Sequence, residues 1–147
     1  MALTHLDAKG NARMVDISAK ESVRRTAMAV GTINMMPSTI RMIRKNLLKK
    51  GDAIATARIA GISAAKKTAE LIPLCHNIRI EKVDVDFEFK KTKIVIKASA
   101  VCTDKTGIEM EALIAVSLAA LTLYDMCKAV DRKMVISDIK LIKKTKG

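Results

Sequence analysis

The chain has 147 residues, half of them apolar, with 27 Lys and Arg against 15 Asp and Glu, a net charge of +12. That length and apolar content fit one domain with a real core and exclude a disordered chain, a collagen-like repeat or two domains. With only Phe87, Phe89 and Tyr124 as aromatics, the chain also lacks the stacking platforms of a single-strand nucleic-acid binder.

Residues 1–21 are polar and without sustained periodicity, which predicts a flexible N-terminal arm ordered only when something holds it; residues 22–147 form the single domain. No secretory apolar segment opens the chain. Arg24 to Met35 alternates, with Ala27, Ala29, Gly31 and Ile33 on one face, and predicts a strand. Pro37-Ser38 predicts a helix start with Ser38 as cap. Ile40, Ile43, Leu47 and Leu48 continue that helix to a stop at Gly51, with Lys49 and Lys50 in its last turn. Asp52 caps a second helix running to about Ile72, whose many alanines and Gly61 allow close approach by a neighbour. Pro73 ends it.

Val83, Val85, Phe87 and Phe89 alternate with acidic residues, while Ile78 and Ile80 fall in the opposite phase, so a bulge is expected near Glu81-Lys82. Lys90-Lys91-Thr92 turns the chain into a partner strand from Ile94 to Cys102. Thr106 and Glu109 have capping-box spacing before a long helix to about Val130. Its uncharged run, Ala112–Tyr124, is shorter than the ~20 residues that span a bilayer, so no membrane insertion is expected. It is apolar nearly all round, more than one small domain covers, so self-association follows. A last strand, Met134–Ile142, precedes a tail with Lys143, Lys144 and Lys146. The order predicts an α+β, ferredoxin-like split βαβ: a four-stranded antiparallel sheet, helices on one face, and an extra helix in the first crossover.

The excess of positive charge points to nucleic acid, anionic lipid or a phosphorylated small molecule, or else to a solvated lysine-rich surface. Cys75, Cys102 and Cys127 form no disulfide framework and read as reduced thiols of a cytoplasmic protein. Cys75-His76 lies in a linker, where the histidine serves as a hydrogen-bonding or acid–base group or as a satisfied loop residue. A zinc site is disfavoured because closely spaced ligands are lacking. A capping role accounts for Glu109 but not for Glu111. Asp125 and Lys128, three apart beside an apolar run, are either a helix ion pair or an acid–base pair in which burial lowers the lysine pKa. Glu111 and Asp125 stand about 21 Å apart along one helix. One site using both needs a second subunit or a long substrate. No phosphate-binding glycine loop and no nucleophile elbow occur.

Five stretches together resemble one family. They are Met14–Ser18; Lys50-Gly51-Asp52 with Ala55–Ile62; Leu71–His76; Lys105–Leu113; and Leu123–Val130. In order and spacing they resemble the molybdenum cofactor biosynthesis protein C family, the cyclic pyranopterin monophosphate synthases, from about Thr4 to Lys144. The resemblance implies a ferredoxin-like fold in a homohexamer, a trimer of dimers with active sites at dimer interfaces. It implies a cytoplasmic lyase that converts 3′,8-cyclo-7,8-dihydro-GTP to cyclic pyranopterin monophosphate and releases pyrophosphate. No redox cofactor is implied; no metal ligand set is assigned, and the composition leaves no nucleic acid or membrane partner expected. The family's catalytic aspartate falls on Asp125 and its functional lysines on Lys50 and Lys128. Its substrate-binding positions fall on Leu74, Cys75, His76, Met110 and Glu111, an anion-binding arginine on Arg24, and further site positions on Asp16 and Lys66. Asn77 replaces a common proline, and Asp104 replaces a glycine found in some members. The rival reading, a nucleic-acid module on the same sheet, lacks the aromatic pattern such modules carry.

Overall fold

A computed structural model describes residues 4–147; residues 1–3 of the expected arm lie outside the described residues. The chain forms strand β1 (Val23–Asn34), helices α1 (Pro37–Arg44), α2 (Ala53–Ala65) and the single turn α3 (Thr68–Leu71), strands β2 (Ile80–Phe89) and β3 (Lys93–Asp104), helix α4 (Glu109–Cys127) and strand β4 (Val135–Lys146). The sheet order is β2-β3-β1-β4, every neighbour antiparallel. This is the expected ferredoxin-like α+β arrangement, with extra helical structure in the first crossover.

The core lies between the sheet and α4. Alternation along β1 turns Ala27, Ala29 and Ile33 inward, and β3 adds Ile94, Ile96, Ala98, Ala100 and Cys102, all within 2% of full burial. Above them Ala112, Ala115, Val116, Ala119, Ala120, Leu123 and Cys127 of α4 are completely buried. Small side chains set the spacing. A Cβ on Gly61 of α2 would lie 2.8 Å from the Ala115 carbonyl oxygen and 3.2 Å from Val85 Cγ2, so glycine alone lets α2 settle onto α4. At 19 residues α4 is long and apolar enough to match a bilayer, yet its inner side is the core of the domain.

Several local expectations change. α1 ends at Arg44 rather than near Gly51, because Asn46 takes a left-handed conformation (φ 52°) and its N–H turns back to the Ile43 carbonyl. Lys49 and Lys50 are therefore loop residues. Ser38 is not the cap; Met36 occupies that position and the acceptor comes from Asp131, far along the chain. Asp52 does cap α2, accepting from Ala55 N at 3.0 Å. The second helix stops at Ala65, where the buried Thr68 hydroxyl donates to the Ala65 carbonyl, and α3 is a separate turn. The bulge falls where expected, between Ile80 and Lys82. Thr106 and Glu109 form no capping box: α4 starts at Glu109 with Ile108 in the cap position. α4 ends at Cys127, not Val130, and β4 continues to Lys146, so the expected tail is strand paired with β1.

Phe87 and Phe89 are half-buried, with the Arg58 and Arg44 guanidiniums over their rings at 5.4 and 4.6 Å. Their faces are thus taken by cations of the same chain.

Candidate active site

Two clusters of chemically capable side chains sit at opposite ends of α4. The first is a cavity of about 280 Å³ at its N-terminal end. Leu74, Cys75 and His76 reach it from the linker after α3, and Met110 and Glu111 from the first turn of α4. The N-terminal segment supplies His5, Val15, Ile17 and Lys20. That segment is folded back on itself by a Leu6–Ala12 bridge, with the Asp7 carboxylate accepting from Lys9 N and Asn11 N.

His76 Nε2 lies 2.6 Å from the Val15 carbonyl oxygen. A carbonyl only accepts, so Nε2 carries the proton and Nδ1 is left for another partner. Glu111 is 3% exposed. Burial raises its carboxyl to about 7; its own backbone N–H pulls it down, and the Glu109 and Asp104 charges push it up. It is therefore divided between acid and carboxylate near neutral pH. Burial, and then the Glu111 charge, push the Cys75 thiol up, so it remains a thiol there and not a ready nucleophile.

Glu109 bends back over Gly107, where any Cβ would collide with its carboxylate, and pairs with Lys144 at 3.2 Å. A second hollow, about 390 Å³, shares Lys20, Thr106 and Gly107 with the cavity. Arg25, Lys105 and Lys146 also line it. A cavity lined by Glu109 and Glu111 thus opens beside a cationic hollow, which suits an anionic ligand with phosphate groups.

The second cluster closes around Asp125. Lys128 Nζ stands 2.8 Å from Asp125 Oδ1, and Lys50 Nζ 3.2 Å from Oδ2 and 2.9 Å from the Asp125 backbone oxygen. Hydrogen bonds from Lys128 and then Lys50 hold the Asp125 carboxyl below its ordinary value. The bond to Asp125 raises Lys128. Of the two sequence readings, the helix ion pair is the one seen: the Lys128 side chain is 57% exposed and paired with Asp125 three residues away, and burial does not lower it. As it stands, Lys128 offers a cation and a proton donor, not a base.

The remaining expected residues are not gathered at either cluster. Arg24 is exposed on the sheet face opposite Arg25, since successive strand residues alternate. Lys66 is exposed at the end of α2. Asp16 is exposed in the N-terminal segment, its carboxylate accepting from Ser18 N at 2.9 Å. Sequence reasoning missed His5, Val15, Ile17, Lys20, Lys105 and Lys146 as cavity or hollow residues. Only their charge or position inside the family-like stretches hinted at such a role, and the contacts that gather them are long-range.

Comparison with known proteins adds an independent line. A family model described as the MoaC family matches residues 14–147. A cyclic pyranopterin monophosphate synthase of Peptoclostridium acidaminophilum is 55% identical over 147 residues, which cover 100% of this chain and 94% of that protein. One of Parvibaculum lavamentivorans is 54% identical over 147 residues, covering 99% and 92%. A molybdenum cofactor biosynthesis bifunctional protein of Chlorobaculum tepidum is 52% identical over 147 residues, which are 47% of its length.

Proposed function

The chain belongs to the MoaC family, and from that premise we propose how its two clusters divide the work of one reaction. Its role is in molybdenum cofactor biosynthesis, as an enzyme with cyclic pyranopterin monophosphate synthase activity. The substrate is 3′,8-cyclo-7,8-dihydro-GTP. A ribose hydroxyl attacks the α-phosphorus, the bond to the β-phosphate oxygen breaks, and pyrophosphate leaves. In parallel the purine part is opened and reclosed to a pterin, which requires proton transfers.

The observation that carries this reading is the cavity that joins Leu74, Cys75 and His76 to Met110 and Glu111 beside the cationic hollow. The heterocycle occupies the cavity, where Glu111, titrating near neutrality, gives and takes protons and His76 Nδ1 holds a ring or ribose group. The triphosphate lies toward Lys20, Lys105 and Lys146, whose charge stabilises the departing pyrophosphate. Lys50, Asp125 and Lys128 complete the chemistry from a second copy of the chain. In support, Asp125, which holds both lysines, lies about 21 Å along α4 from Glu111, beyond reach of one reacting atom. The outer side of the helices is also left apolar: Ile59 is 63% and Leu121 53% exposed, and Leu113, Ile114 and Leu118 are only half-buried. The assembly is a homohexamer, a trimer of dimers working in the cytoplasm, with each site shared across a dimer interface. Arg24, Lys66 and Asp16 reach the substrate in that shared setting.

Incubating the protein with 3′,8-cyclo-7,8-dihydro-GTP tests this directly. One pyrophosphate released per cyclic pyranopterin monophosphate formed is expected, with Glu111→Gln strongly impaired. Pyrophosphate release that leaves Glu111→Gln at full rate would overturn the placing of the chemistry in this cavity.

A further inference from the structure

Asp131 is the most enclosed carboxylate of the described residues, 1% exposed, and neither cluster includes it. Its Oδ2 accepts from Met36 N at 2.8 Å and from the Thr39 hydroxyl at 2.9 Å. Its Oδ1 accepts from Lys133 N at 3.1 Å, and its own N–H donates to the Cys127 carbonyl. Burial works to raise the carboxyl, but those donors outweigh it and hold it ionised, below its ordinary value. α1 has no cap of its own, because Met36 has no side-chain acceptor. Asp131 supplies the cap from the segment just after α4.

The consequence is a closed circuit. From its capped start α1 runs to Arg44. The chain then turns at Asn46, buries Leu48 and bends again at Gly51 (φ 96°). Lys50, just before that bend, points its ammonium at Asp125. Asp125 and Asp131 flank the same C-terminal end of α4, so that end grips the α1 segment at both its start and its finish.

Building on the reading of Lys50 as a group of the active site, we propose that Asp131 is a positioning residue, which through the capped α1 fixes Lys50 against Asp125 and Lys128. Buried donors aimed at one carboxylate define one placement of α1, and an ångström of slack there is passed along the short helix to Lys50.

The test compares Asp131→Asn, Lys50→Ala and the double variant, each assayed for pyrophosphate release at a temperature where circular dichroism shows it folded. We expect Asp131→Asn to lower kcat about tenfold or more with the substrate KM little changed. It should cause no further loss in the Lys50→Ala background, because the two act as one unit. The acid limb of the kcat profile should also move to higher pH, since Asp125 loses one of its two cations, a change that lost stability alone does not produce. Full kcat in folded Asp131→Asn, or losses that simply multiply in the double variant, would overturn the positioning role. A fully active Lys50→Ala would instead sink the reading of Lys50 beneath it, and the proposal with it. If Asp131→Asn does not fold, Thr39→Val against Thr39→Ser decides. Lower kcat in the valine variant with near-normal serine supports the proposal, and equal rates overturn it.

Discussion

Lys50 and Asp125 are 75 residues apart in sequence, yet the Lys50 ammonium bonds both the backbone oxygen and the carboxylate of Asp125. The second cation on that carboxylate, Lys128, comes from one turn further along. One exposed aspartate held by two lysines is a stable ion cluster, and in solvent such clusters add little to folding. A structural cluster and a catalytic one therefore differ in what the loss of a lysine does to turnover.

Lys128→Ala separates these meanings. The fold and assembly should persist with a melting temperature close to the parent's. Product formation should fall by about a hundredfold or more, the scale of a lost general acid–base group. Near-normal turnover in the folded variant would take Lys128 out of the reaction and leave Lys50 as the remaining lysine candidate.

Glu111 predicts a pH dependence of fixed sign. In the fold its carboxyl titrates near 7 instead of the ordinary 4.5, so between those values the folded chain holds more protons than the unfolded one. This contribution is complete below pH 4.5 and is lost as pH rises through 7, by about 3 kcal/mol at most. Glu111→Gln should therefore gain stability relative to the parent between pH 5 and pH 8, measured by urea unfolding at both. Its activity should be low, without the parent's inflection near 7. A constant stability difference across that range would contradict the assignment.

Anion binding should follow the cationic hollow. Calorimetry at low salt should detect pyrophosphate binding that weakens as ionic strength rises. Lys146→Ala should weaken it several-fold. An equal loss in Arg24→Ala, from the opposite sheet face, is the expected sign that a second copy brings its arginine to the same anion. No binding at low salt, or binding unaffected by either change, would refute the phosphate assignment.

The half-covered outer side of α2 and α4 predicts self-association. Light scattering at micromolar concentration should give the mass of a hexamer; a stable, folded monomer would end that assignment.

Gly61→Val tests the packing that brings α2 onto α4. The added carbons meet the Ala115 carbonyl and Val85, so a destabilisation of about 1–3 kcal/mol is expected from overpacking. Thermal or urea unfolding measures it, and unchanged stability would mean that the helices part without cost.

Local patterns were enough to place the four strands (though not the far end of β4), the bulge near Glu81, the Asp52 cap and the fold class, because alternation, helical spacing and turn chemistry act within a few residues. The family resemblance pointed to Leu74, Cys75, His76, Met110 and Glu111, which line one cavity, and to Lys50, Asp125 and Lys128, which form one ion cluster, but also to Arg24, Lys66 and Asp16, which join neither. Other features depended on groups distant in sequence, and only the folded chain brought these together. Ser38 looks like a cap until Asp131 arrives from behind α4 to take that role. Thr106 and Glu109 look like a capping box until Lys144, drawn alongside by the long β4, pairs with the glutamate. Lys128 reads either as half of a helix ion pair or as a lysine that burial would neutralise, and the fold decides for the ion pair by ending α4 with it in solvent against Asp125. Hydrogen bonds, ion pairs and desolvation all depend on distance in space, so caps and charge states were decided by tertiary structure, whereas the distance between Glu111 and Asp125 along α4 followed from their spacing in sequence.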